Sequence, residues 1–199
     1  MKEKILPDEV VNMFLGEVVN RGFDEPFLWN GNICATDAKI LLIMEGEDSR
    51  YKTTALDIGK TLPKRTMPKI FDVEGIRADL NDIPLIPETT DEVVGCNECD
   101  GSGEITCSEC GHERECEKCE GEGKITTKTK TTGAMVINGG ALLDIDDAYF
   151  QQKYLRKLLV VADALNMKTF SRVSDANKDS SNEFLIGDKV RIIIMPVRK

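Results

Sequence analysis

A single histidine, His112, occurs in 199 residues. That scarcity leaves no spare imidazole to act as base for a serine or cysteine nucleophile, which removes most hydrolytic and acyl-transfer chemistry. No glycine-rich phosphate loop and no G-x-G-x-x-G fingerprint is present, so the common nucleotide- and dinucleotide-dependent activities are excluded as well. No apolar run approaches the ~20 residues of a membrane helix, and the opening MKEKILPDEV lacks the apolar stretch of a secretory signal. The expectation is a soluble, cytoplasmic protein that is not an enzyme and has no membrane partner. In that reducing compartment disulfides are the use of paired cysteines with the weakest case, leaving metal or redox chemistry.

What the chain has is cysteine and acid, concentrated in its middle. Six of the seven cysteines and the one histidine fall in the 28 residues CNECDGSGEITCSECGHERECEKCEGEG, from Cys96 to Gly123. Residues 91–123 also hold eleven acids against Arg114 and Lys118, so they carry the whole net charge of −9 while the remainder balances at 24 acids and 24 bases. A neutral body can carry a basic face, but an acidic segment repels phosphate.

The flanks read as an ordered body. LPDEVVNMFLGEVVNRG spaces its apolar residues helically, with Pro7 in the first turn and Gly22 able to close it, which predicts a helix over about 7–21. PFLWNGNICATD and AKILLIMEGE read as strands broken at Asp37, and RYKTTALDI and KIFDVEGIRADL as further strands around the basic run Lys60, Lys64, Arg65, Lys69. After the cysteines, TTGAMVINGGALLDI offers one or two strands. A helix is then expected to open near Asp146 and Asp147, its apolar stripe formed by Phe150, Tyr154, Leu155, Leu158, Val161, Ala162 and Leu165, with Gln152, Lys153, Arg156 and Lys157 away from it. Three strands, MKTFSRVSD, NEFLIGD and KVRIIIMPVRK, follow. Strands and a helix thus recur on both sides of the cysteines, which predicts an α+β fold of two strand-helix-strands halves, residues 1–90 and 125–199, interrupted by a cysteine-rich insert at 91–124.

Cys96 and Cys99 stand sixteen residues before Cys116 and Cys119, a C-x2-C-x16-C-x2-C spacing that suits a four-thiolate zinc site. Glycines follow each pair where the backbone must curl beneath a metal. The insert has almost no apolar residues besides Ile105 and Ile125 at its margin, so metal must supply its folding energy. A redox dithiol at Cys107 and Cys110 ranks below metal binding, because the surrounding acids suppress the thiolate. The C-x2-C-x-G-x-G units resemble the cysteine-rich zinc module of DnaJ-type co-chaperones. That resemblance implies that Cys96, Cys99, Cys116 and Cys119 form the outer zinc site and that Cys107 and Cys110 match half of an inner one, whose partner unit this chain lacks. Two readings stay open for Cys107, Cys110 and His112: a second zinc completed by Glu109, Glu113 or water, or a half-site and free dithiol. The J-domain His-Pro-Asp signature is absent, which excludes stimulation of a chaperone ATPase.

The body resembles bacterial sliding clamps, the ring-forming β subunit of the replicative polymerase. Phe150, Lys153, Tyr154 and Leu155 match the F-x-x-K-Y-L pattern of the closing helix, Met195, Pro196, Val197 and Arg198 the terminal M-P-[VM]-R, and Ala35, Thr36 and Asp37 an A-T-D turn. The resemblance implies a clamp-like scaffold acting in DNA replication or another DNA transaction, plausible for a phage or mobile element. It also implies double-stranded DNA held through Lys153, Arg156 and Lys157, and protein partners received near Met195 to Arg198. Clamp subunits carry three such domains and close as dimers, whereas this chain has material for one, so a ring needs about six copies as a homo-oligomer. The alternative is a DnaJ-like zinc adaptor that binds a polypeptide partner.

Overall fold

A computed structural model of the chain describes residues 6–16, 24–46, 48–54, 62–106, 110–174 and 180–198. The chain divides into two compact units, Met1–Pro84 with Asn138–Lys199, and Leu85–Ile137.

In chain order the first unit begins with α1 (Asp8–Asn12), β1 (Phe27–Trp29), β2 (Asn32–Thr36), β3 (Ile40–Glu45), β4 (Arg65–Asp72) and α2 (Val73–Asn81). The second unit holds β5 (Ile86–Gly95), β6 (Glu104–Thr106), β7 (Glu113–Glu115) and β8 (Lys124–Val136). The first unit resumes with β9 (Leu142–Ile145), β10 (Ala148–Gln151), α3 (Gln152–Ala164), β11 (Thr169–Ser174), β12 (Asn182–Ile186) and β13 (Val190–Ile194).

Seven strands of the first unit form one antiparallel sheet in the order β1-β2-β3-β13-β12-β11-β4. A helix followed by a three-stranded meander occurs twice, as α1 with β1 to β3 and as α3 with β11 to β13, and the two meanders join through β3 and β13. Period-two alternation sorts the sheet's side chains between its faces. Ile40, Leu42, Met44, Phe184, Ile186, Val190, Ile192 and Ile194 face a core shared with Val11 of α1, Ile76 and Leu80 of α2, and Leu155, Leu158 and Val161 of α3. Phe184 anchors it, meeting Phe150 and Phe170 edge to face at 5.6 and 5.9 Å. The opposite face carries a smaller cluster of Phe27, Cys34, Leu41, Ile43 and Ile193.

Several elements differ from the sequence expectation, each for a local reason. The first helix ends at Asn12 rather than near residue 21, because the amides of Phe14 and Leu15 bond the carbonyls of Val11 and Asn12 and tighten the chain into turns; residues 17–23 lie outside the described residues. KIFDVEGIRADL is half strand and half helix. The Asp72 carboxylate accepts from the Gly75 amide at 2.7 Å, capping α2, and Val73, Ile76 and Leu80 supply its buried stripe. Within RYKTTALDI only residues 50–54 are described, and there Thr53 makes a single bridge to Leu28. Asp146 and Asp147 do not open a helix: with φ of 58° and 67° they form the turn between β9 and β10, and α3 begins at Gln152. Gln152 is buried, not solvated, donating to the Asn138 carbonyl at 2.8 Å and accepting from Arg156.

In the second unit, among the described residues, β5 pairs only with β8 and β6 only with β7, so both pairs are two-stranded ribbons. Cross-strand polar contacts dress the longer ribbon: Lys130 pairs with Glu92 at 2.9 Å, and Thr129 and Thr132 donate to Asp91 and Glu88 at 2.7 and 2.6 Å. Among the described residues of this unit, the buried cluster is Cys96, Cys99, Cys116 and Cys119, with Ile105 and Ile125 packed against it. No described helix of the chain is long and apolar enough to cross a membrane.

Candidate metal centre

Each C-x2-C-x-G-x-G stretch folds into the same loop. In the first, the amide of Gly101 donates to the Cys96 carbonyl at 3.0 Å, that of Ser102 to the Cys99 carbonyl at 2.9 Å, and that of Gly103 to the Cys99 Sγ at 3.2 Å. In the second, Gly121, Glu122 and Gly123 repeat the pattern on Cys116 and Cys119, with the Gly123 amide 3.3 Å from the Cys119 Sγ. The loops then lock reciprocally: Cys96 donates to the Gly123 carbonyl and Cys116 to the Gly103 carbonyl, both at 2.8 Å. Asp100 and Glu120 take the left-handed conformation with φ of 49° and 51°, ahead of glycines at 81°.

The two loops bring four buried thiols together, their Sγ atoms all within 4.8 Å of one another. The close sulfur contacts run between the loops, Cys96 to Cys116 at 3.8 Å and Cys99 to Cys119 at 3.7 Å. A tetrahedron with metal–sulfur bonds of about 2.3 Å has edges of about 3.8 Å. The donor set and its dimensions therefore fit a thiophilic divalent ion in a closed, structural site. Burial opposes the Cys99 thiolate, yet the Gly103 amide and the neighbouring thiols outweigh it and hold the group at about 7, while burial pushes Cys119 up to about 12. Metal uptake must then expel protons.

Of Cys107, Cys110 and His112, two are described. Cys110 and His112 are exposed in the connection beyond the Thr106–Glu113 pair of β6 and β7, and Cys107 lies outside the described residues. Among the described residues, the four cysteines are the one group of metal-ligating side chains.

On the body, the three cations of α3 differ in freedom. Lys153 is exposed, its Nζ 4.9 Å from the Tyr154 ring. Arg156 is half-buried and donates to the Gln152 Oε1 at 2.9 Å and to the Leu80 carbonyl at 3.0 Å, tying α3 to α2. Lys157, with 18% of its side chain exposed, sits 3.7 Å from Asp37 and over the rings of Phe14 and Tyr154. Burial lowers its pKa and Asp37 restores part of the loss. The same Asp37 accepts from the amides of Lys39 and Ile40, and the Thr36 hydroxyl donates to the Ile40 carbonyl at 2.7 Å, so Ala35 and Thr36 end β2 and Asp37 opens a self-capped turn that meets α3 through Lys157. In the basic run, Arg65 pairs with Glu183 and Lys69 with Asp146, while Lys60 lies outside the described residues. Past β13, the amide of Met195 bonds the Lys39 carbonyl and that of Val197 the Tyr149 carbonyl; Met195 and Arg198 are exposed, Pro196 and Val197 half-buried.

One site feature had no sequence counterpart. Glu183 of β12 has no exposed side-chain surface, and its Oε1 accepts from Arg65 at 2.7 Å and Arg191 at 2.7 Å. A carboxylate inside an alternating strand gives no sign of its partners, since both arginines arrive from other strands.

No protein-family model and no curated protein matches the sequence. Among solved structures, the chain has the fold of bacterial sliding clamps. It superposes on the DNA polymerase III β subunit of Thermotoga maritima with a TM-score of 0.50 and 12% identity, over 96% of this chain and 63% of that one. Against the β sliding clamp of C. crescentus the TM-score is 0.51 with 10% identity, over 96% of this chain and 64% of that one. The chain thus spans less than two thirds of the length of either clamp, and at these identities the likeness is one of fold.

Proposed function

We propose that this chain is a non-enzymatic, zinc-binding scaffold on a sliding-clamp fold, acting in DNA replication or a related DNA transaction of a phage or mobile element. The supporting observation is a clamp-like fold over nearly the whole chain, combined with a sulfur cluster of tetrahedral dimensions. Zinc is held by Cys96, Cys99, Cys116 and Cys119 and serves structure, since the closed thiolate set leaves no position for substrate. Duplex DNA is met through α3, with Lys153 as the exposed cation, and protein partners through Met195 to Arg198. A ring would be assembled from several copies.

A second reading is favoured by the second unit. Its described acids, Glu88 apart, are exposed, and two of the three α3 cations already have intramolecular partners. That reading is an adaptor that captures a polypeptide. Binding of the purified chain to linear and circular duplex DNA over a salt series, with its mass in solution measured alongside, separates the two. A ring-sized oligomer, or salt-sensitive and sequence-independent DNA binding, supports the clamp role. A strict monomer with no DNA affinity defeats it.

A further inference from the structure

The four thiols are not equivalent. Cys96 and Cys116 are 1% and 0% exposed, whereas Cys99 and Cys119 are 8% and 5% exposed and stand at the rim, 3.7 Å apart, one from each loop. These two residues lie on the more accessible side of the cluster, and the Sγ of each faces a partner across the loops at 3.7 Å. Closing 3.7 Å to a disulfide of about 2.05 Å requires modest side-chain movement. Because Ile105 and Ile125 are the only apolar side chains packed on the cluster among the described residues, the unit has little to resist a change of ligand.

We propose that the metal centre is a peroxide-sensitive switch in which Cys99 and Cys119 form a cross-loop disulfide and release the metal. The step rests on the metal-binding reading above. A peroxide is attacked by one rim sulfur, forming an S–O bond as the O–O bond breaks and hydroxide leaves. The second rim sulfur attacks that sulfur, forming S–S as the S–O bond breaks and a second hydroxide leaves. Two thiolates lose two electrons in total and the peroxide gains them. Cys96 and Cys116, left as the sole ligands, no longer hold the ion. The loops stay joined by a covalent link where the metal joined them before, so oxidation exchanges one crosslink for another.

The test uses the full chain with Cys107→Ser and Cys110→Ser, which removes the exposed competing thiol and its neighbour in the sequence. Metal content is measured first. Hydrogen peroxide is then added, released metal is followed with a chromophoric chelator, and disulfides are mapped by mass spectrometry without reduction. The expected result is one metal released per disulfide formed, a Cys99–Cys119 link, and recovery of metal binding after a thiol reductant. Retention of metal with all four thiols intact overturns the proposal, as does a link within Cys96–Cys99 or Cys116–Cys119. A chain that starts without metal overturns the metal-binding reading instead, and the mapping then still reports whether the rim pair is the one that links.

Discussion

Gly103 lies so close to Gly121 that a Cβ on Gly103 would stand 2.2 Å from the Gly121 carbonyl oxygen. Gly123 meets the Gly101 carbonyl with the same 2.2 Å clearance. Backbone rather than a flexible side chain occupies that space, so substitution must part the two loops. Gly103→Ala is expected to weaken metal binding by roughly ten- to a hundred-fold, in the range seen when an outer-shell donor to a ligand is disturbed. Gly101→Ala, whose Cβ would meet the Gly123 carbonyl at an ordinary 3.7 Å, should cost only the strain of its positive φ. Chelator competition on both variants checks the contrast.

Metal stoichiometry tests the ligand set. Cys96→Ser should lower bound zinc by about one ion per chain, because three thiolates leave the site open. Cys107→Ser should leave that ion in place, and any additional loss would assign a second site to the connection that contains Cys110 and His112.

Glu183 makes stability depend on pH in a definite direction. Burial opposes its charge, but the hydrogen bonds from Arg65 and Arg191 outweigh that and hold its pKa below the ordinary 4.5. The folded protein therefore binds this proton less readily than the unfolded chain. The contribution is full above about pH 4.5 and fades as pH falls through the depressed value. Glu183→Gln should cost about 2 kcal/mol near neutrality, discounted because Arg65 is over half exposed, and the gap to the wild type should shrink in acid. Denaturant titrations at pH 7 and pH 3.5 measure it.

The α3 cations call for separate variants. Lys153→Glu should leave stability within about 0.5 kcal/mol and lower any DNA affinity, since its side chain is exposed. Arg156→Glu should destabilise by about 1–3 kcal/mol through the lost bond to the Leu80 carbonyl, whether or not DNA is bound. Thermal melts with a DNA titration distinguish a contact from a strut.

Some of this was readable in advance because it is local. The C-x2-C spacing and its trailing glycines carry their chemistry within eight residues, and the four sulfurs meet as that spacing implies. The strands ending at Ser174, Ile186 and Ile194 announce themselves as short runs containing large apolar residues, separated by Asp, Asn and Gly. Other features depend on partners that sequence does not display. Asp146-Asp147 has the acids of a helix start, and only the β9–β10 pairing turns them into a hairpin. Gly75 hides α2 inside an apparent strand, although Asp72 three residues before it was a readable cap. Gln152 and Arg156 look like a solvated face until α2 arrives beside them.

The joint between the two meanders has a bearing on how the protein is made. β3 pairs with β13, so residues 40–45 wait for residues 190–194 before the central strands of the sheet can close. At ribosomal speeds of about 5–20 residues per second that is a delay of roughly eight to thirty seconds. Leu41, Leu42 and Ile43 would spend the interval without their final neighbour, open to off-pathway association. The sulfur loops need only residues 96–123, and β5 with β8 brings Ile86 beside Val136. Metal captured during synthesis would therefore fold the middle of the nascent chain first and draw about fifty residues out of the loop that the late strand must close. Zinc supply during translation, rather than zinc affinity of the finished protein, would then govern yield: expression in metal-depleted cells should shift the product toward aggregates.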